Sequence, residues 1–202
     1  MSRWIGKYTN HNPGFSQADK INNATIIASY LKTVGYNMAA LCGVIGNMEW
    51  ESYLNPGQWQ IGYAIEQWPP AGVGFGLVQW TPWTKYSDWA GSDWRTNYTK
   101  QLERIEFERA NGLQWIAAGE FSGVSFNDFL DFEGSPAYAA RCWCTCYERG
   151  TWAAQRATYA ENWYDYFRAN PIPDWTPPGS LSANIPIWLL FKLRENNEKK
   201  VN

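Results

Sequence analysis

The sequence predicts a mainly helical α+β domain with a small β-hairpin at the border of a cleft. Apolar residues recur at the spacing of one helix face through most of 16–169. Only the stretch GFGLVQW at 74–80 has the pattern of a turn that leads into a short buried strand. We expect residues 1–15 to form an irregular arm, 16–169 the domain, and 170–202 a proline-rich linker with a short apolar and charged tail.

Two helices open the domain. Ser16, followed three residues later by Asp19, is typical of a capping box, so the first helix is expected at about 16–34. Gly35 fits the left-handed C-cap that ends it. The second helix, expected at about 38–51, packs on the first through apolar residues that recur every three or four positions.

The second helix ends in two neighbouring carboxylates. Val44, Met48 and Glu51 have the spacing i, i+4, i+7 and share the apolar face, whereas Glu49 should point about 200° round the axis into solvent. Asn-Pro-Gly at 55–57 prevents continuation of the helix. Apolar and aromatic neighbours would keep Glu51 protonated and able to act as a general acid. The alternative is a solvated glutamate at a frayed helix end.

Five further helices are expected at about 81–90, 94–110, 125–132, 136–148 and 152–167. Thr81 and Pro82 fit the N-cap and first helical position of the first of these. In the next one, Glu106 and Glu108 belong to a charged face that we expect to be wet. The Trp- and Pro-rich loop before these helices carries Glu66, a candidate second acid, whose simpler interpretation is a solvated loop residue.

The stretch after that loop supplies groups that suit a sugar ligand. Gly74 and Gly76 permit close backbone approach or a positive φ. Gln79 offers an amide donor and acceptor for sugar hydroxyl and N-acetyl groups, and Trp80 offers a flat ring face. The alternative, which these residues alone would favour, is a structural hairpin with Trp80 in the core.

Together, the motifs of these two regions resemble a known enzyme family. E-S-x-x-N-P from Glu51 and G-x-G-L-V-Q-W from Gly74 resemble the Glu-Ser and Gly-Leu-Met-Gln motifs of soluble lytic transglycosylases and goose-type lysozymes. The sequence is more similar still to the phage tail lysozyme family. That resemblance covers about 18–167 and includes a later Y-E-R.

The resemblance implies a lysozyme-like fold that acts on peptidoglycan, with Glu51 as the general acid. Tyr147 would help to orient that acid. The side chains that would contact the substrate are Ser52, Gln79, Trp80 and Glu148. For Glu148, the alternative is an ordinary surface helix end that it shares with Arg149.

Composition excludes several other classes of protein. The net charge is −2, from 17 basic and 19 acidic residues, which argues against a nucleic-acid partner. His11 is the only histidine, so neither a zinc amidase nor a cysteine amidase is readily assembled, and we expect no metal or cofactor. The cysteines, expected to be reduced because their spacing suits neither zinc nor an unstrained disulfide, are Cys42, Cys142, Cys144 and Cys146.

We expect neither a membrane span nor an export leader. No stretch approaches the roughly 18 apolar residues of a span, and residues 1–15 lack the apolar run of a secretory leader. With the resemblance, this favours a place in a virion at the phage tail tip. The expected partners are peptidoglycan glycan strands and other tail proteins. The alternative is an endolysin that stays in the host cytoplasm until release.

The expected reaction is cleavage of the β-1,4 bond between N-acetylmuramic acid and N-acetylglucosamine, with Glu51 as proton donor. No second catalytic carboxylate is assigned. Hydrolysis is preferred over attack by the substrate's own 6-hydroxyl, which would give the 1,6-anhydro product of a lytic transglycosylase. The remaining alternative is a non-catalytic structural or glycan-binding tail protein, which would have no need for Glu51 at that helix end.

Overall fold

The computed structural model of the protein describes residues 3–63, 70–152 and 154–177. These residues are mainly helical, as predicted. The helices are α1 (Gln17–Thr33), α2 (Met38–Ser52), α3 (Thr84–Ala90), α4 (Thr99–Ala110), α5 (Pro136–Trp143) and α6 (Ala154–Ala169). Helix α5 continues directly into a π-helical turn at Cys144–Glu148, here called the π turn. Short 3₁₀ turns lie at Gly119–Phe121 and Asp128–Asp131.

Helix α2 lies at the centre of the fold, where it contacts α1, α5 and α6. Every residue from 40 to 49 is buried. Two glycines allow this packing: a Cβ at Gly43 would lie 2.8 Å from the backbone of Ala139, and a Cβ at Gly46 would lie 2.7 Å from the backbone of Arg156. Because side-chain carbons do not approach backbone so closely, the glycines let α5 and α6 reach the backbone of α2.

The first two helices begin with side-chain caps. Ser16 Oγ accepts from the Asp19 N–H at 3.2 Å, and Asp19 Oδ2 accepts from the Ser16 N–H at 2.9 Å. The predicted capping box is therefore confirmed. Asn37 caps α2, since its Oδ1 accepts from the Ala40 N–H at 2.9 Å. Between the two helices, Gly35 has a φ of 103°, a conformation that favours glycine.

The described part of the N-terminal arm lies against the domain. Asn23 donates to the Ile5 carbonyl at 2.7 Å and accepts from the Ile5 N–H at 3.0 Å. Asn55 makes the same pair of contacts with Lys7, at 2.7 Å and 2.9 Å. Both asparagines are fully buried. Each asparagine side chain therefore makes the two backbone hydrogen bonds that a neighbouring strand would make with one residue of the arm. These bonds fix the arm without a β-sheet.

A β-hairpin is not seen in the described residues. Their only β contacts are isolated bridges between Thr9 and Gln58, Trp59 and Phe75, and Phe75 and Trp80. Phe75 and Trp80 exchange two backbone hydrogen bonds, at 3.0 Å and 3.3 Å, and so close a tight loop at 75–80. Gly76 and Gln79 turn this loop with φ values of 83° and 50°. The chain reverses too quickly for two paired strands to form.

Two details of α3 and α4 differ from the predictions. Helix α3 begins at Thr84, so the predicted cap at Thr81 is wrong. The predicted wet face of α4 is wrong for Glu106 and Glu108, which are 7% and 1% exposed. Helix spacing alone could not reveal their partners from distant segments, such as the Tyr36 hydroxyl that donates to Glu106 at 3.0 Å.

The four cysteines are free thiols in the core, as expected for reduced residues. Cys42 lies in α2, and the other three lie in α5 and the π turn. Burial raises the pKa of Cys144 and Cys146. Since the thiolate is the reactive form, these residues are core side chains rather than nucleophiles.

The last described residues lie along α1. Ser29 Oγ donates to the Pro173 carbonyl at 2.6 Å, and Trp175 packs edge-on against a tyrosine of α1 with the ring centroids 5.2 Å apart. The predictions for the tail at 178–202 and for Glu66 fall outside the described residues. In the parts of the chain that are described, no helix combines the length and apolar character needed to cross a membrane.

Candidate active site

Glu51, at the C-terminal end of α2, forms an ion pair with Arg156 of α6. Arg156 Nη2 donates to Glu51 Oε1 at 2.5 Å. The arginine side chain is 3% exposed, whereas the glutamate side chain is 21% exposed. The Glu51 carboxylate therefore joins a buried cation to the protein surface. Its neighbours are not only apolar, as the sequence suggested, since this guanidinium is its ion-pair partner.

Asn47, one turn before Glu51, fixes the guanidinium. Its Oδ1 accepts from Arg156 Nη1 at 2.7 Å, while its Nδ2 donates to the carbonyls of Gly43 and Ala140, both at 2.9 Å. Asn47 and Glu51 are four residues apart and lie on the same side of α2. Two acceptors of α2 thus hold one arginine of α6, and the fully buried amide also joins α2 to α5.

The prediction that Glu49 points into solvent is wrong. Glu49 is 8% exposed, and its two oxygens accept from Lys20 Nζ at 2.6 Å and from Trp163 Nε1 at 2.8 Å. The reason is the central position of α2, because α1 and α6 cover the side that was expected to be wet. Glu49 therefore has a protein donor on each oxygen, whereas Glu51 keeps contact with solvent.

Glu148 ends the π turn. Its Oε1 accepts from Trp143 Nε1 at 2.9 Å. In a continuous α-helix, residues five apart would differ by about 140° around the axis and lie on different sides. The wider π turn reduces this angle and brings the Glu148 side chain over Trp143. The predicted helix at 136–148 is therefore confirmed in its bounds, although its last turn is π-helical and ends at Arg149, which has a φ of 52°.

The two carboxyl groups differ in character. Burial, followed by the negative charge of Glu51, raises the pKa of Glu148 well above the ordinary value of 4.5. The hydrogen bond from Trp143 and the charge of Arg156 act in the opposite direction without cancelling the shift. Glu148 thus keeps a proton at a pH where an ordinary glutamate has lost it.

Among the described residues, no group of three His, Cys, Asp or Glu side chains could hold a metal ion.

Tyr147 and Trp80, both named from the sequence, are buried. They are 0% and 3% exposed. Both donate to Glu108, the Tyr147 hydroxyl to Oε2 at 2.5 Å and Trp80 Nε1 to Oε1 at 3.2 Å. Trp80 also stacks on Tyr86 with the ring centroids 5.0 Å apart. The placement of Trp80 fits the alternative of a core residue, and Tyr147 joins the turn that carries Glu148 to α4.

Ser52 and Gln79 lie on either side of the contact between α2 and the loop at 75–80. Ser52 is fully buried, and its Oγ donates to the Leu77 carbonyl at 3.0 Å. Gln79 is partly exposed, and its Nε2 donates to the carbonyls of Gln58 and Gly76 at 3.1 Å and 2.9 Å. A sugar contact from Gln79 would thus use Oε1. Its left-handed backbone is a conformation often found at functional sites.

Two exposed tryptophans lie near Glu51, Glu148 and Arg156 in the sequence, and these last three residues are here called the cluster. Trp50 precedes Glu51 and is 43% exposed, and Trp152 is 38% exposed. The guanidinium carbon of Arg156 lies 5.8 Å from the centroid of the Trp50 ring, within the range of a cation–π contact. The arginine therefore supports both the carboxylate and an open aromatic face, and such faces suit the apolar side of a sugar ring.

Arg156 is the residue of this cluster that sequence analysis missed. The buried positions of α6 are Arg156, Ala160, Trp163 and Phe167, which follow one helix face. An arginine on that apolar face was the available signal, because a buried guanidinium needs an acceptor from another element.

The chain is similar to known phage proteins, both by a family profile and by an individual sequence. The sequence profile of the phage tail lysozyme family matches residues 22–167. Morphogenesis protein 1 of Bacillus phage B103 is 37% identical over 157 residues, which are 76% of this chain and 41% of that relative. The chain thus matches less than half the length of that relative. The segment that the family profile matches contains Glu51, Glu148 and Arg156.

Proposed function

Because the chain belongs to the phage tail lysozyme family, we propose that it cleaves the β-1,4 glycosidic bond between N-acetylmuramic acid and N-acetylglucosamine in peptidoglycan. The observation that carries this proposal is the cluster formed by Glu51, Arg156 and Glu148. It brings an ion-paired carboxylate, Glu51, and a carboxyl group with a raised pKa, Glu148, near one buried arginine. Paired carboxyl groups of unlike protonation are the usual equipment of a glycosidase.

Glu51 is the general acid in this proposal. It protonates the glycosidic oxygen as the bond to the anomeric carbon breaks and positive charge develops on the sugar ring. The solvent-exposed side of its carboxylate gives it access to a bound glycan, which Glu49 lacks. Hydrolysis by a water molecule is the preferred outcome. In the structure Glu51 accepts a hydrogen bond from Arg156 as its ion-pair partner, so it has to gain a proton before each turnover.

Sugar binding in this proposal uses the partly exposed side chains around the cluster. Gln79 offers its Oε1 to a hydroxyl or amide N–H, and Trp50 offers a ring face. Ser52 and Trp80 support the site from the core through the Leu77 carbonyl and Glu108. Binding of several sugar units supplies the free energy that distorts the reacting ring.

The proposed location is the virion, at the tail tip, where the enzyme opens the host cell wall. The family description and the name of the B103 relative, a morphogenesis protein, support a part of the particle over a free endolysin. Immunogold labelling of purified particles tests this. Label at the tail tip is expected, and particles that lack the chain would contradict it.

The reaction is tested by mass spectrometry of the soluble fragments that the chain releases from purified peptidoglycan. Fragments with a reducing N-acetylmuramic acid end are expected. Anhydro ends would indicate a lytic transglycosylase instead, and a reducing N-acetylglucosamine end would indicate a glucosaminidase. Release of no glycan fragments would contradict the proposed activity.

A further inference from the structure

We infer that Glu148 is the second catalytic carboxyl group, which stores the proton that Glu51 donates and takes a proton from the attacking hydroxyl. This inference rests on the proposed function and deepens it. Arg156 is the positioning residue that makes the two glutamates unequal. The sequence had marked Glu148 only as a substrate contact.

The charges around Arg156 balance with one carboxylate. Arg156 is 2% exposed and is a permanent cation. Its guanidinium donates to a single carboxylate, Glu51, at 2.5 Å, and to the neutral amide of Asn47. One buried cation balances one anion. A second anion beside it would have no counter-charge, so the second carboxyl group is stable as the neutral acid.

The groups around Glu148 oppose its ionisation. The groups that act on it are Glu51 from α2, Arg156 from α6, Glu108 from α4 and the Trp143 indole from α5. The charge of Glu148 in turn helps to raise the pKa of Cys144 and of Tyr147, which lie in the same turn. Two of the three charged groups are carboxylates, and one of them, Glu108, is already held by Tyr147 and Trp80. The local field therefore opposes ionisation of Glu148.

The backbone around Glu148 has an unusual conformation. An uninterrupted α-helix would turn Glu148 away from Trp143, and the π turn brings it back. Single π turns in helices occur frequently at functional sites, and this one ends the helix that begins at α5. Arg149 then ends the turn in a left-handed conformation, at a residue other than glycine. Two uncommon backbone conformations, the π turn and the left-handed residue after it, thus occur where the Glu148 carboxyl group lies.

The protons that Glu51 and Glu148 gain and lose balance over one turnover. Glu148 first passes its proton through solvent to Glu51, whose side chain is 21% exposed. Glu51 gives that proton to the leaving oxygen as the glycosidic bond breaks. The attacking hydroxyl, from water in hydrolysis, bonds to the anomeric carbon and gives its proton to Glu148. Both glutamates return to their starting states, and no net proton is consumed.

Titration of the free protein tests this inference without any activity assay. Carbon-13 labels on the glutamate carboxyl carbons are followed by NMR as a function of pH. The resonance that disappears in Glu148→Gln is expected to titrate at a higher pH than an ordinary glutamate. In Glu51→Gln it should titrate at a lower pH, because one of the charges that opposes ionisation is gone. An ordinary titration of this resonance would overturn the inference.

Kinetics on purified peptidoglycan give the second readout. Glu148→Gln should lower kcat by at least about 100-fold, within the range for loss of an acid–base group. Glu148→Asp should recover part of it, and the exposed Glu161→Gln of α6 should match the parent chain. Full activity of folded Glu148→Gln would overturn the inference while leaving the proposed function intact. No activity in the parent chain would instead refute the proposed function, and the NMR titration would still decide where the proton resides.

Discussion

Arg156 Nη2 lies 2.5 Å from Glu51 Oε1, although the two residues are 105 positions apart in the sequence. This contact joins the end of the central helix α2 to α6. The guanidinium also holds Asn47 and faces Trp50. One side chain therefore positions the proposed acid, fixes the packing of α2 against α6 and supports an exposed aromatic ring.

Arg156→Met should lower the free energy of unfolding by about 2–3 kcal/mol. Breaking a fully buried pair costs about 3–5 kcal/mol, and the cost should be smaller here because Glu51 can be solvated on its open side. Urea denaturation measures the change. The control is Arg168→Met on the same helix, where the arginine is exposed and should contribute little. Equal effects of the two substitutions would contradict a special role for Arg156.

Gly46→Ala should destabilise the fold although alanine is the better helix former. The gain in helix propensity is about 1 kcal/mol. The new Cβ would lie 2.7 Å from the backbone of Arg156, and overpacking of this kind costs up to about 3 kcal/mol. Activity should fall as well, because α6 moves with its arginine. Gly123→Ala is the control, since its Cβ would meet nothing within 4 Å. A higher Tm for Gly46→Ala would be contrary to the packing described here.

Tyr147→Phe should lower stability by about 1.5–3 kcal/mol, the range for a hydrogen bond to a charged group. It leaves the buried carboxylate of Glu108 with its bonds from Trp80 and Arg104 only. Thermal denaturation measures the loss. Activity should fall less than in a Glu51 variant, because the Tyr147 hydroxyl has no exposed surface from which to touch substrate. Tyr138→Phe, on an exposed tyrosine, provides the comparison; a larger effect there would point away from the buried network.

The pH dependence of stability should change in Glu148→Gln. The raised pKa of Glu148 in the folded state means that the folded chain binds this proton more tightly than the unfolded chain. Its contribution to stability is therefore complete below the ordinary value of 4.5 and is lost as the pH rises through the folded value. The Tm of Glu148→Gln minus that of the parent chain should thus increase as the pH rises from 4.5 to the folded pKa and then level off. A difference that stays constant with pH would contradict the raised pKa.

The parts of the fold that depend on local pattern could be predicted from the sequence. The capping box at Ser16, the approximate bounds of α1 and α2 and the stop after Glu51 follow from side-chain caps, helix spacing and an Asn-Pro-Gly sequence. A hairpin was expected from Gly-rich strand-like residues. The backbone instead closes a single tight loop between Phe75 and Trp80, and sequence pattern does not distinguish these outcomes.

The features that depend on tertiary contacts could not be predicted. Glu49 was expected to be wet because one helix was considered alone, whereas Lys20 and Trp163 of two other helices cover it. The π turn that places Glu148 has no spacing signal of its own. Arg156 could have been found, since it lies on an apolar helix face, but its partner Glu51 could not have been named from α6 alone.

The most direct measurement compares the parent chain with Glu51→Gln on the same purified peptidoglycan, by the rate at which new reducing ends appear. Gln keeps the size of the side chain and an acceptor for Arg156 but has no proton to donate at ordinary pH. We expect a rate at least about 100-fold lower for the folded variant. A folded Glu51→Gln chain that releases reducing ends as fast as the parent would contradict the assignment of Glu51 as the acid.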